Sequence, residues 1–464
     1  MKNIIRPFIL ILLICPVLCY GQQNTANDSN TPLHLLQPAY KVPYGIPSEA
    51  SIKQILDRIW TYLDRETPAV VMDRTTNAEI RDFSKVNENS ILKRGAFRLA
   101  SYEWGVTYAG MTLAGDVTGD QKFSDYTTRR LKFLSETAPY FKKLGQERNV
   151  QEPQLRQLIS PAALDDAGSM CAAFIKATYQ KGAPDYKAII DNYINWIMNG
   201  EFRLTDGTLA RNRPHLNTLW LDDMFMGIPA LAWMGKYTGD KKYFDEAVKQ
   251  IRQFAARMFV PEKNLFMHGW VEAMSEHPTF FWGRANGWAI MCLTEVLEVL
   301  PENHPGYKDV MTLYRQHVKG LAALQSGEGL WHQLLDRSDS YLETSASAIY
   351  TYCIARGINR GWLDALTYGA CVTLSWNAVS QKINELGQVT GTCVGTGMAF
   401  DPAFYYYRPI NVFAAHGYGP VLLAGSEMIA LLKKTYPKMN DNAVHFYLEK
   451  IETDHPTFEV QVKK

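Results

Sequence analysis

The sequence predicts an all-α fold of six helical hairpins closed into a toroid, and three observations carry that prediction. From about Ile52 onward the apolar residues fall at helical spacing, as in Ile52, Ile55, Leu56, Ile59, Trp60 and Leu63, which stack on one helix face. Six times a knot of aromatic, basic or acidic residues sits just ahead of an apolar, helix-patterned run. Between knots lies a joint, a Gly or Pro turn followed by an amphipathic helix, recurring roughly every 60 residues.

The elements follow in order. The knots are Tyr102-Glu103-Trp104-Gly105, Leu164-Asp165-Asp166, Trp220-Leu221-Asp222-Asp223, Trp282 to Trp288, Tyr341 to Ser345, and Arg408-Pro409 with His416 to Gly419. The joints are Gly119-Asp120, Ala183-Pro184-Asp185, Gly239-Asp240, His304-Pro305-Gly306 and Arg360-Gly361-Trp362. Each supplies an Asp or Pro suited to starting the next helix, with an aromatic soon after to pin it. Runs such as Met224 to Met234 and Ala289 to Leu300 are apolar on nearly every side, which suits an inner layer. Lys241 to Met258 carries charge on one face, which suits an outer one. An open solenoid needs polar capping repeats that a closed ring does not. In a closed ring all six knots open onto one end, and that end is the expected binding site.

Composition narrows the function. The 464 residues are 47% hydrophobic and 20% charged, enough for a large core, and the net charge is +1 without a basic run. That excludes the electrostatic footprint of a nucleic-acid binder. Lys2 and Arg6 precede an apolar run of about a dozen residues from Phe8, too short for a membrane span of roughly 20 residues. It reads as a signal peptide over residues 1–21, so an exported, periplasmic or secreted protein is expected. An N-terminal extension covers 22–47, the helical domain 48–440 and a tail 441–464, in which Phe458 to Val462 reads as a short strand or a frayed end. Cys171, Cys292, Cys353, Cys371 and Cys393 are odd in number and mostly set among apolar neighbours, which reads as small buried side chains rather than a disulfide framework. No Cys-x-x-Cys or His-Glu-x-x-His pattern offers a metal site, and no cofactor is expected. Oligomeric state is not encoded in any feature read here.

Two Leu-Asp-Asp sequences, at 164–166 and 221–223, stand one repeat apart at the same mouth. An Asp there can cap the following helix. Two doublets in register, one preceded by Trp220, instead point to paired carboxyls in an aromatic cleft, where one carboxyl can be held protonated as an acid catalyst. Aromatic faces stack on sugar rings, so carbohydrate is the expected ligand. Arg284 sits between two glycines in Trp282-Gly283-Arg284-Ala285-Asn286-Gly287-Trp288 and offers a forked cation for a carboxylate. His268 precedes that cluster by a short connection, and His416 lies in the sixth knot. His215, His332 and Glu343 are weaker candidates.

Trp220 to Met226, His268-Gly269-Trp270, Trp282 to Trp288, Tyr341 to Ala348, and Gly395-Thr396-Gly397 ahead of Arg408-Pro409 together resemble glycoside hydrolase family 105, the unsaturated rhamnogalacturonyl and related glucuronyl hydrolases. The resemblance spans most of the chain after the signal segment. It implies an (α/α)6 barrel and an exo-acting enzyme that hydrates the C4=C5 double bond left by polysaccharide lyases on a terminal uronic acid. The substrate partner is then an unsaturated oligosaccharide. In that family's pattern Asp222 matches the general acid/base and Asp165 a second aspartate that tunes and orients it. His268, Trp282 and Arg284 match substrate contacts, and Tyr102 and Trp104 fall where aromatic contacts are expected. Asp223 departs from the small residue often found after the catalytic Asp. Successive side chains at a helix start diverge by about 100°, so one of the two faces the mouth, and Asp222 is the choice. The rivals are a family 88-type glucuronyl hydrolase acting on glycosaminoglycan fragments, an α/α-barrel glycosidase acting on a saturated sugar, and a non-catalytic carbohydrate-binding toroid.

Overall fold

The structure is a computed structural model that describes residues 41–439 and 444–450. The signal segment read at residues 1–21, the extension up to residue 40 and the strand read at Phe458 to Val462 lie outside the described residues.

Fourteen helices are described: α1 (Glu49–Glu66), α2 (Tyr102–Thr118), α3 (Gln121–Arg148), the single turn α4 (Arg156–Ile159), α5 (Leu164–Ala177), α6 (Lys187–Asn195), α7 (Asp223–Thr238), α8 (Lys241–Met258), α9 (Gly283–Leu297), α10 (Tyr307–Ala322), α11 (Thr344–Asn359), α12 (Ala365–Ser380), the short α13 (Pro402–Tyr406) and α14 (Tyr418–Lys434). Six of them, α2, α5, α7, α9, α11 and α14, pack each against the next, and α14 packs back on α2, which closes the ring. This is the (α/α)6 toroid. Outside it α3, α6, α8, α10 and α12 each pack on the inner helix that precedes them. The sixth outer helix is α1, which packs on α14, so the last hairpin joins the two ends of the domain.

Burial separates the two layers as the sequence patterning requires. Along α7 every residue from Asp223 to Gly235 is buried, whereas α8 buries Phe244, Ala247, Val248, Ile251, Phe254 and Met258 on one stripe. The inner helices approach closely where a side chain would obstruct them. A Cβ on Gly168 of α5 would lie 1.6 Å from the Met226 carbonyl oxygen of α7. At Gly105 of α2 a Cβ would meet Ser169 of α5 at 2.4 Å. Joints are built as read: Gly119 and Gly239 end α2 and α7 in the left-handed region, at φ 70 and 74, and Asp120 and Asp240 cap the helices that follow. All five cysteines in the described residues are free, four of them buried.

Ten short strands form five antiparallel ribbons, a feature that scarce alternation in the sequence did not announce. They are β1 (Val71–Asp73) with β2 (Ser90–Leu92), β3 (Thr218–Trp220) with β6 (Gly269–Val271), β4 (Phe259–Val260) with β5 (Leu265–Phe266), β7 (Trp331–His332) with β8 (Leu342–Glu343), and β9 (Tyr436–Met439) with β10 (Val444–Tyr447). The pair β3 and β6 precedes α7 and α9 and aligns the loops of the mouth.

Candidate active site

The site is built from the first turns of the inner helices and the loops leading into them. Register in the β3 and β6 ribbon places Trp220 opposite Gly269, and the Leu221 N–H donates to the His268 carbonyl at 2.9 Å. The ladder therefore sets His268 beside Asp222. Their side chains meet at 2.9 Å, His268 Nε2 to Asp222 Oδ2, and His268 Nδ1 lies 2.6 Å from the Tyr405 hydroxyl. Tyr405 in turn accepts from the Ala399 N–H at 3.0 Å. The imidazole is thus held between the Asp222 carboxyl and the Tyr405 hydroxyl. The Trp282 ring lies 4.7 Å from the imidazole and completes its enclosure.

Asp222 occupies the N-cap position of α7, yet its carboxylate makes no capping hydrogen bond; α5 likewise begins with no side-chain cap. Helix capping is therefore not what these aspartates do. Burial pushes the Asp222 carboxyl up, but the hydrogen bond and charge of His268, with the charge of Arg211, outweigh it and hold the group below its ordinary range. In the resting molecule Asp222 is a carboxylate.

The neighbouring Asp223 faces away, wholly buried, and accepts from Arg211 at 2.8 and 2.5 Å. Arg211 also forks onto both oxygens of Asp165, at 3.0 Å each. One guanidinium thus joins α5 to α7 through two carboxylates, a bidentate arrangement on both sides. Asp165 was expected to orient Asp222, but its direct hydrogen-bond partner is Arg211, and the direct partner of Asp222 is His268. Arg211 is a residue that the sequence reading missed. A signal existed in Arg211-Asn212-Arg213-Pro214 just ahead of β3, where the Arg211 and Thr218 backbones pair and turn the arginine inward beneath Trp220, 4.4 Å from its ring.

Arg284 is buried, and its terminal nitrogens donate to the Cys393 and Val394 carbonyls, both at 2.7 Å. The fork predicted for a substrate carboxylate is thus engaged by the backbone. Its charge remains close by, and its Nε has no partner among the described residues. Tyr102 meets His416 Nε2 at 2.6 Å, and Glu103 stands 3.6 Å from the same nitrogen. Burial and the charge of Arg284 keep His416 well below its usual range, so it is neutral. Burial, helped by the charge of Asp165, raises the Glu103 carboxyl. Trp104 borders the same recess as Tyr102 and Asp165, and its ring is buried, stacked on Phe97 at 4.8 Å and donating to Tyr126. Tyr405 and Glu103 join Arg211 among the residues the sequence reading did not select.

Trp282 Nε1, Arg284 Nε and His416 Nδ1 are buried here without an acceptor among the described residues. Buried polar groups are rarely left unpaired, so each of these three atoms calls for an explanation, and a bound ligand is one. Beside them opens a recess of about 550 Å³ lined by Tyr102, Glu103 and Asp165.

Comparison with known proteins adds lineage to this geometry. Residues 70–432 match the family model for Glycosyl Hydrolase Family 88. The chain is 32% identical over 219 residues to an unsaturated 3S-rhamnoglycuronyl hydrolase of Alteromonas sp. (strain LOR), covering 46% of this chain and 52% of that one. It is 28% identical over 219 residues to the unsaturated rhamnogalacturonyl hydrolase YesR of Bacillus subtilis, covering 47% and 61%. The chain thus spans little more than half the length of these curated relatives. Among solved structures, a possible member of the GH105 family from Salmonella enterica superposes with a TM-score of 0.65 at 21% identity, over 85% of this chain and 97% of that one. A family 105 glycoside hydrolase from C. acetobutylicum superposes with a TM-score of 0.59 at 23% identity, over 71% and 93%. At these identities the superpositions establish the shared fold.

Proposed function

Since the chain belongs to glycosyl hydrolase family 88, we propose that it removes a Δ4,5-unsaturated uronic acid from the nonreducing end of oligosaccharides released by polysaccharide lyases. The observation that carries this reading is Asp222, a nearly buried carboxylate hydrogen-bonded to His268 inside an aromatic enclosure. An enol ether needs one proton donor and one activated water, and neither a covalent nucleophile nor a second acid.

In the proposed reaction the acid form of Asp222 gives its proton to C4 of the uronate. Water then adds to C5, and the resulting carboxylate of Asp222 takes the proton that the water loses. The hemiketal opens by breaking its C5–O5 bond to a ketone, which leaves a hemiacetal at C1; that hemiacetal collapses to the aldehyde, breaking the C1–O bond and passing its hydroxyl proton to the departing sugar, and Asp222 is again protonated. Because the resting carboxyl is held ionised, the acid form must be favoured by the complex itself: a substrate carboxylate and the exclusion of water both act in that direction. His268 holds the reacting oxygen in place, and Arg211 fixes the α5 and α7 starts on either side. The curated relatives act, by their names, on rhamnose-linked unsaturated uronyl groups, which supports a rhamnose-containing substrate over a glycosaminoglycan fragment. Export is part of the proposal and rests on the apolar N-terminal run.

The test follows the ultraviolet absorbance of the enol acid during incubation with unsaturated disaccharides from pectin, ulvan and glycosaminoglycan lyases, beside their saturated counterparts. The expected result is loss of absorbance with at least one rhamnose-containing substrate and none with Asp222→Asn. Full activity in Asp222→Asn, or turnover of the saturated sugars, refutes the proposal.

A further inference from the structure

The chain between Cys393 and Ile410 forms a loop whose base is pinned and whose far side rests on the mouth. At the base Cys393 pairs with Ile410, the Val394 N–H donates to the Pro409 carbonyl at 3.0 Å, and the fork of Arg284 holds the Cys393 and Val394 carbonyls. The middle of the loop lies on Trp220 and Gly269, the two residues that face each other in the β3 and β6 ribbon. A Cβ on Gly397 would stand 3.3 Å from the Trp220 ring, and one on Gly269 would meet Met398 Sδ at 1.7 Å. The returning limb turns into α13, where Pro402 suits the first helical position and Asp401 caps by accepting the Phe404 N–H at 2.9 Å. That short helix sends Tyr405 inward, fully buried, with its ring 5.3 Å from Phe280 and its carbonyl accepting from Gln333 at 3.3 Å. The Tyr405 hydroxyl then meets His268 Nδ1, while the other ring nitrogen of His268 reaches Asp222.

We infer that Tyr405 is a positioning residue for the reaction: it holds Nδ1 of His268 so that Nε2 stays on Asp222, and the loop from Cys393 to Ile410 is the frame that keeps it there. The inference rests on the reading of Asp222 as the general acid. An imidazole held at one nitrogen alone pivots about its ring torsion, whereas a partner on each nitrogen fixes the ring. A phenolic hydroxyl suits this place because it donates to a bare ring nitrogen and accepts from a protonated one. It therefore stays engaged whichever form the imidazole takes. Ala399 completes the arrangement by offering that hydroxyl both an N–H, at 3.0 Å, and a carbonyl, at 3.4 Å. The loop thus acts on the acid through two hydrogen bonds in series, from Tyr405 to His268 and from His268 to Asp222.

The experiment is a double-mutant cycle on kcat, run with the unsaturated disaccharide that wild type turns over fastest. Tyr405→Phe should lower kcat about 10- to 100-fold and leave KM within about twofold, because it displaces the acid and not the sugar. In a His268→Gln background the same change should cost less than about twofold, since the group through which the hydroxyl acts is already gone. Losses that multiply in the double variant overturn the inference, because Tyr405 then acts by packing or by direct contact with the sugar. An unchanged kcat in Tyr405→Phe overturns it as well. Thermal melting checks that each variant is folded. Where Tyr405→Phe does not fold, a fluorinated tyrosine at position 405 replaces it, which changes the acidity of the hydroxyl at nearly constant volume. Then kcat should respond with His268 present and not in His268→Gln, and an equal response in both backgrounds overturns the inference. The two readings fail separately: a wild type inactive on every unsaturated disaccharide sinks the proposed reaction, whereas wild-type turnover with multiplying losses sinks the role of Tyr405 alone.

Discussion

The two ends of the barrel are both crowded with buried charge, but they are finished differently. At the far end, formed by the C-terminal halves of the inner helices, Glu295 receives Lys176 at 2.6 Å together with the Trp233 Nε1 and the Tyr352 hydroxyl at 2.9 Å. Arg356 joins Glu427 at 2.7 Å to Glu298 at 3.1 Å, and Arg360 pairs with Glu298 as well. Each of these buried charges has an opposite partner. At the mouth Arg211 satisfies Asp165 and Asp223 in the same manner, yet Trp282, Arg284 and His416 keep donors or ring nitrogens without partners among the described residues. A closed network stabilises and specifies packing, whereas an incomplete one costs stability unless something binds. The contrast teaches that the same kind of side chain closes one end and leaves the other ready for a ligand.

The sharpest way to break this contrast is to remove one charge from each end. Asp222→Asn should lower kcat/KM about 10²- to 10⁴-fold, the range for a general acid, and leave the melting temperature nearly unchanged. Arg356→Met should do the reverse. It strands Glu427 and costs about 3–5 kcal/mol of stability, with kcat/KM of the folded protein retained. Denaturant unfolding beside steady-state kinetics reads both. Comparable loss of activity in the two variants would mean that the ends are not functionally distinct.

Much of this organisation was legible in the chain. The periodicity from Ile52, the all-round apolar run of α7 and the Gly-Asp joints at 119 and 239 suffice for two concentric helical layers. Helix geometry required that Asp222 and Asp223 point apart, and the two carboxylates do diverge, to His268 and to Arg211, whereas the choice of Asp222 rested on the family resemblance. What was not legible depends on contacts between segments far apart in sequence. Tyr405 reaches His268 across 137 positions, and Arg211 reaches Asp165 across 46. Local patterning has no access to such pairs. Arg284 looked like a ligand fork because glycines flank it, but those glycines serve close packing, with Gly283 against the His332 carbonyl and Gly287 against Ile349. The reach of α1 to α14 was hidden for the same reason, since the partners lie at opposite ends of the domain.

A carboxyl behind the mouth sharpens the comparison through pH. Burial, with the charge of Asp223, raises Glu201 from 4.5 to about 7, and Glu201 has no cationic partner within ion-pair distance among the described residues. Its folded-state value lies above its unfolded one, so the folded protein holds a proton that the unfolded chain releases. Stability from this group is therefore present below about pH 4.5 and is lost as the pH rises through about 7. The expected loss is about 2 to 3 kcal/mol over that interval. Glu201→Gln should abolish that part of the pH dependence and unfold later than wild type at pH 8. Parallel pH curves for the two proteins would show that the mouth carries no such penalty.

The smallest effect concerns the proton itself. Of the influences on Asp222, burial acts upward, and the hydrogen bond and charge of His268 with the charge of Arg211 act downward. His268→Gln removes the imidazole while Arg211 stays, so the balance moves toward burial and the Asp222 carboxyl should titrate at a higher pH. A general acid acts in its protonated form, so the limb of kcat/KM that falls with rising pH should move upward by the same amount. The maximal rate is expected to drop as well, because the imidazole also positions the carboxylate, and a drop alone does not discriminate. The displacement of the limb does: if it stays where wild type has it, His268 orients Asp222 without setting its proton affinity, and the difference between the mouth and the self-neutralised far end must lie in Arg211 instead.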